Sequence, residues 1–114
     1  MRIIISNTFS INMLDVNSII VFKKAEIEEI KSLLSIYLYI SVVGHQPTAE
    51  VYSDLLGYPI AFNRVSYTYK DGDVLVVGQL HGRLPEGKVL NKGELQSMKG
   101  MITWWIVRRV GLCC

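Results

Sequence analysis

Short runs of β-branched residues alternate along this chain with stretches of helical periodicity, and that alternation restricts the fold more than any other feature. The first run, at 2–6 (RIIIS), reads as a buried strand, and residues 18–22 read as a second. Between 25 and 35, Ile27, Ile30, Leu33 and Leu34 fall at helical spacing, with Glu26, Glu28, Glu29 and Lys31 largely outside that stripe. The acids sit in the first turns, where they suit the helix dipole. Residues 37–43 return to strand chemistry and stop at Gly44; a second helix opens at Pro47 or Thr48 and ends at Gly57. Residues 60–69 and 74–80 read as two strands joined by Lys70-Asp71-Gly72-Asp73, a hairpin signal. After a loop at 82–88, a short helix is expected over 91–98 and a last strand over 101–110, which carries both tryptophans. The expected fold class is α/β: a mixed sheet of about five strands with helices packed on it. No linker, repeat or low-complexity segment divides the chain, so residues 1–114 are expected to form one domain.

Half of the residues are apolar, enough to build a core. The longest apolar stretch, 33–43, includes two serines and two tyrosines and is well short of the ~20 residues a helix needs to span a bilayer. The opening MRIIISN has no cleavable signal pattern behind it. A soluble intracellular protein with no membrane partner is the expectation. A net charge of +2 is too mild for a duplex-DNA binder that tracks many phosphates, yet it suits a small anionic ligand held by a few arginines. Cys113 and Cys114, adjacent at the tail, form neither a disulfide framework nor a metal site, and no polybasic run supports a lipidated tail.

Three junctions carry the chemistry. In Val42-Val43-Gly44-His45-Gln46-Pro47-Thr48 a strand gives way to a helix within three residues, and the free N–H groups of a helix start favour an anion. A phosphate bound there would favour the imidazolium form of His45, making it a plausible acid; the plainer alternative is a loop histidine bonded to backbone. In the segment 6–12, Asn7, Ser10 and Asn12 offer donors and acceptors suited to phosphates or ribose hydroxyls, although Ser10 equally suits a cap for a helical turn at 10–14. In Gly82-Arg83-Leu84-Pro85-Glu86-Gly87-Lys88, Arg83 presents a planar fork and Glu86 can fix it or accept from a ligand; a surface ion pair of little energetic value is the competing reading. If the preceding strands run parallel, all three junctions open at one carboxyl edge, the usual ligand crevice of such sheets. His81 competes with His45 but lacks the glycine and the helix start, and reads as a strand-end residue. Arg64 ends Phe62-Asn63-Arg64 and is a further candidate ligand contact. Trp104 and Trp105 should face opposite sides of a regular strand, one of them in the core.

Taken in order, NTFSINML at 7–14, GHQPTA at 44–49, NRV at 63–65 and GQLHGRLPEGKVL at 78–90 resemble the viral anti-CRISPR ring nucleases, a family of archaeal viruses and phages. The likeness thins beyond Leu90. It implies a homodimer that holds one cyclic tetra-adenylate, the messenger of type III CRISPR immunity, in a cleft between subunits, within the host cell cytoplasm. The implied reaction needs no metal and no cofactor: a ribose 2′-hydroxyl attacks the neighbouring phosphorus and the 5′-oxygen leaves, giving linear di-adenylate after two cuts. By position, His45 matches the catalytic general acid, Arg83 and Glu86 match the pair that positions the scissile segment, and Ser10, Arg64 and Gln79 match ligand contacts. Asn7 and Asn12 belong to the first motif, and Gly44 to the glycine-histidine pair. Thr8 replaces a commoner alanine, and His81 is an added polar group. The residues alone agree on one point, since no cluster at metal-ligand spacing exists to support a two-metal nuclease. Two other readings stand beside this one: a non-catalytic sponge for the cyclic nucleotide, and a viral regulator that binds single-stranded nucleic acid through the strand carrying Trp104, Trp105, Arg108 and Arg109.

Overall fold

The computed structural model describes residues 1–81 and 99–112, the side chains of Lys99 and Leu112 excepted. Its elements are β1 (Arg2–Ser6), a 3₁₀ turn (Ile11–Met13), β2 (Ser18–Ala25), α1 (Ile27–Ile36), β3 (Tyr39–Ser41), α2 (Gln46–Leu56), β4 (Asp73–Leu80), a second 3₁₀ turn (Lys99–Met101) and β5 (Ile102–Leu112). The strands form one mixed sheet in the order β2-β5-β4-β1-β3. The centre is parallel: β1 pairs with β3 on one side and β4 on the other. β5 runs antiparallel to both β4 and β2. The expected class of mixed five-stranded α/β sheet is therefore what the described residues form.

β1 lies between two parallel neighbours with both faces covered, which is why Ile3, Ile4 and Ile5 occur as an unbroken apolar run instead of alternating with polar residues. Ile3 and Ile5 face the helices, joining Ile30 and Leu34 of α1, Ala49, Tyr52 and Leu56 of α2, and Trp104 and Ile106 of β5. Ile4 faces the other way, with Met13, Leu75, Val77 and Val107, and Phe9, Tyr67 and Trp105 packed against them. Both helices thus serve one face, and the opposite face is capped by the irregular segments 7–17 and 61–70. Trp104 and Trp105 divide between the two faces as the pleat requires, with Trp104 buried beside Tyr52 at a ring separation of 4.8 Å.

Several boundaries differ from expectation. Residues 60–69 do not form a strand, and the hairpin with β4 does not exist; Phe62 makes only an isolated parallel bridge to Val43. β4 has no free edge to offer, because β1 and β5 already occupy both sides. The Lys70–Asp73 turn does form, with Asp73 N–H donating to the Lys70 carbonyl at 3.0 Å and Gly72 at φ 88°, but it merely feeds the chain into β4. The segment before it is held by side chains: the Tyr69 hydroxyl donates to the Asp73 carbonyl and Tyr69 N–H donates to the Met13 carbonyl, at 2.5 and 2.7 Å. Ala25 belongs to β2, opposite Trp104, so α1 begins two residues later than the periodicity suggested. β2 extends through Lys23 and Lys24 because it is an edge strand, where lysines can reach water and discourage pairing with another sheet. β3 is shorter than 37–43, since Tyr37 still caps α1 by donating its N–H to the Leu33 carbonyl. The helix expected over 91–98 lies outside the described residues.

Tyr52 docks α2 onto the sheet by donating its hydroxyl to the Gly78 carbonyl at 2.6 Å. A Cβ on residue 78 would overlap that hydroxyl, so glycine there is a packing requirement.

Candidate functional site

The parallel strands β1, β3 and β4 end at the same edge of the sheet, so the three chain junctions that follow them start together there. Two of these junctions are described in full. The third continues past His81 into residues 82–88, and both Arg83 and Glu86 lie outside the described residues.

The β3–α2 corner is the best-defined part. Gly57 at φ 75° ends α2 in the left-handed conformation, and at its other end His45 is the residue immediately before the first turn, extended at φ −140° and ψ 118°. The helix thus starts at Gln46, one or two residues earlier than Pro47 or Thr48. The His45 carbonyl accepts from Ala49 N–H at 3.0 Å, so the helix's own first bond pins this residue. Its side chain makes no capping bond. Instead Nδ1 lies 2.7 Å from the Thr48 hydroxyl, in a half-buried setting. The ring is accessible enough to meet a ligand and fixed enough to be aimed.

Asn7 reaches this corner from β1. Its Oδ1 accepts from Gly44 N–H at 3.3 Å, so one function of the residue is to tie the first junction to the second. Arg64 arrives from the irregular segment: its Cγ would stand 3.4 Å from a Cβ on Gly44, so the arginine stem lies against the glycine backbone. Asn63 holds it there, its N–H donating to the Val43 carbonyl and its Nδ2 to the Ser41 carbonyl, both at 2.8 Å. The Ser41 hydroxyl donates to the Ala61 carbonyl at 2.5 Å, continuing the same seam. Asn7, Gly44, His45 and Arg64 are therefore brought together. Arg64 comes from a loop and not from the strand expected over 60–69.

The remaining candidates are more dispersed in role. The Ser10 hydroxyl accepts from Asn12 N–H at 3.3 Å, the cap that the sequence equally allowed, while the Asn12 residue is exposed. Gln79 is exposed at the end of β4 and donates Nε2 to the neighbouring Leu80 carbonyl at 3.2 Å. It stands at the rim of a cavity of about 220 Å³, otherwise lined by Phe9, Phe22, Val77, Trp105 and Val107. Phe9 and Phe22 meet edge to face at 5.2 Å there. His81 is bound to β5, with Nε2 2.5 Å from the Thr103 hydroxyl and N–H donating to the Met101 carbonyl, which fits its reading as a strand-end residue.

Of the two adjacent arginines of β5, Arg108 is exposed and Arg109 is committed. Arg109 pairs with Asp71 and lies 4.9 Å from the centre of the Tyr69 ring. With Trp104 in the core and Arg109 paired, Trp105 and Arg108 are the groups of that strand left to a base-stacking surface. Among the described residues no group of three or more histidines, cysteines, aspartates or glutamates could hold a metal ion. No helix of the described residues is long and apolar enough to cross a membrane.

Sequence reasoning missed Thr48 and Asn63 as members of this site. Thr48 was legible in principle: a polar residue three positions after a helix's first flanking residue is the spacing at which side chains reach back to that residue. Asn63 had no such local signal, because its partners are about twenty residues away in the chain.

Fold and corner together define a class: a small α/β protein with a cluster of polar side chains at the carboxyl edge of a parallel-centred sheet, built around a histidine at a helix start. More particularly, the chain belongs to the STIV B116-like family, whose pattern matches residues 3–103. It is 38% identical over 82 residues to "Uncharacterized protein 26" of Sulfolobus islandicus filamentous virus, covering 72% of this chain and 70% of that one. It is 27% identical over 104 residues to "Uncharacterized protein ORF117" of Acidianus two-tailed virus, covering 90% and 89%. A bacterial relative, "Uncharacterized protein YddF" of Bacillus subtilis, is 32% identical over 92 residues, covering 73% and 85%. Among solved structures, B116 of Sulfolobus turreted icosahedral virus matches with a TM-score of 0.72 at 30% identity, covering 94% of this chain and 98% of that one.

Proposed function

We propose that this protein is a metal-independent ring nuclease that degrades cyclic tetra-adenylate to linear di-adenylate, acting in the host cytoplasm against type III CRISPR immunity. The observation that carries the reading is the His45 corner: a half-buried imidazole anchored through one nitrogen at a helix start, with Arg64 and Asn7 alongside. A phosphodiester at this corner meets free helix N–H groups and a guanidinium, both of which stabilise its charge. In the proposed step the ribose 2′-hydroxyl gives up its proton to water as its oxygen bonds to phosphorus, the P–O5′ bond breaks, and His45 gives its proton to the departing 5′-oxygen. The product end is a 2′,3′-cyclic phosphate. Arg83 and Glu86, as the family resemblance implies, position the scissile segment. A twofold-symmetric ring suits an isologous homodimer that supplies one copy of each group per half.

The test is incubation with cyclic tetra-adenylate in excess chelator, with products resolved by chromatography. Wild type should yield di-adenylate. His45→Ala should keep binding the ring but cleave it at least ~10²-fold more slowly, the low end for loss of a general acid. Unchanged turnover in that variant would reject the mechanism. Stoichiometric binding by wild type without product would replace it with a sponge.

A further inference from the structure

Thr48 stands one turn into α2, and its hydroxyl, 2.7 Å from Nδ1, is the partner of the His45 ring. We propose that Thr48 is the positioning residue for His45: its oxygen accepts from Nδ1–H and thereby reserves Nε2 as the nitrogen that surrenders the proton. The kinetic consequence rests on the ring-nuclease reading; the tautomer it imposes does not.

The assignment follows from counting hydrogens. An imidazole that acts as an acid begins as imidazolium, with both nitrogens protonated, so the Thr48 oxygen can only accept in that state. When the Nε2 proton moves to the leaving oxygen, Nδ1–H stays in its bond and the neutral ring is left as the Nδ1–H tautomer. Reversal would require the hydroxyl to turn and donate, handing the only proton of the neutral ring to Nε2. The local geometry keeps the Thr48 oxygen beside Nδ1. Helical side chains lean toward the N-terminus, which carries the Thr48 oxygen back over residue 45. Branching at Cβ leaves threonine few rotamers in a helix, so the oxygen is held in place rather than found by chance. The backbone beneath the ring is fixed as well, by the His45 carbonyl bond to Ala49 N–H and by Asn7 on Gly44. Among the described residues Nε2 has no hydrogen-bond partner, whereas Nδ1 has one.

Thr48→Val keeps the shape and removes the acceptor; Thr48→Ser keeps the acceptor. Long-range ¹⁵N imidazole spectra of the ligand-free protein, recorded above the ring's titration, should show the Nδ1–H tautomer in wild type and Thr48→Ser. Thr48→Val should shift to the Nε2–H tautomer or a mixture. With cyclic tetra-adenylate, Thr48→Val should lower kcat roughly 10- to 100-fold, the scale of a misaligned catalytic group, with KM little changed and most of the loss recovered by serine. An Nε2–H tautomer in wild type would overturn the proposal. So would a Thr48→Val protein with unaltered tautomer and kcat, or one in which only KM rises, since that would make Thr48 a ligand contact. If Thr48→Val fails to fold, Thr48→Ala lacks the same acceptor and gives the same comparison. If wild type itself does not cleave the ring, the proposed function fails, yet the spectra still decide the role of Thr48.

Discussion

At the residue scale, a dense polar arrangement among the described residues lies away from the candidate site, at the amino end of β4. Asp73 is almost fully buried and accepts from Arg2 Nε and Nη2 at 3.0 and 2.8 Å and from the Tyr67 hydroxyl at 2.6 Å. Burial alone would raise this carboxyl, but the bonds from Arg2 and Tyr67 outweigh it and hold the group below the usual carboxylate range. Burial, with the neighbouring carboxylate, pushes the Tyr67 phenol well up. The sign of the pH effect follows. The folded protein gives up the Asp73 proton more readily than the unfolded chain, so the stabilisation is complete above the ordinary aspartate value of about 3.9 and is lost as pH falls through the folded value. Asp73→Asn should therefore show a shallower loss of stability than wild type between about pH 5 and pH 2, read from urea midpoints. Asp73→Ala at neutral pH should cost about 2–3 kcal/mol, because it strands Arg2 and the Tyr67 hydroxyl.

At the scale of elements, α2 is the piece that joins stability to the candidate site, since it carries His45 and Thr48 at one end and Tyr52 against the sheet in the middle. Gly78→Ala should dislodge Tyr52 and cost about 1–3 kcal/mol, as overpacking does. Adding Tyr52→Phe removes the nearer of the two clashing tyrosine atoms and leaves Cζ at 2.7 Å, so the double variant should be somewhat more stable than the sum of the single changes predicts, as a urea-melt cycle would show. This coupling was hidden in the sequence, where Gly78 is simply a glycine within a strand. The helix itself was plain there, because Pro47 and Gly57 act locally on the backbone they belong to. The 60–69 segment shows why such reading stops. Its β-favouring residues over 65–69 do alternate with polar ones, but whether a segment pairs depends on a free neighbouring edge, and β5, some forty residues away, had taken it. Arg64 was legible as a candidate on its own merits, while its seat against Gly44 depended on that same non-local outcome. For Arg83 and Glu86 the sequence motif is the whole of the case.

At the scale of the whole molecule, the two faces of the sheet are unequal. Among the described residues, one carries both helices and the larger apolar cluster, and the other has loops over a smaller one. Exposed Ile11, Phe22, Ile40 and Val65 belong to the loops and strands outside the helical layer. The proposed homodimer gives this a measurable correlate. If each ring is completed by two subunits, turnover per protomer should fall on dilution through the dimer dissociation constant, in step with the sedimentation coefficient. Turnover independent of concentration, with a monomer seen in the centrifuge, would rule out a shared cleft.

The placement of β1 also bears on how the chain comes off the ribosome. Its isoleucines are made well before one of the two neighbours that cover them, β4, which follows some seventy residues later, with Arg2 opposite Asp73 in the register. A nascent chain must therefore carry a sticky ribbon with one edge unpaired until β4 emerges, and closing so long a loop is slow. Premature release before Leu80 would leave that ribbon exposed to clumping.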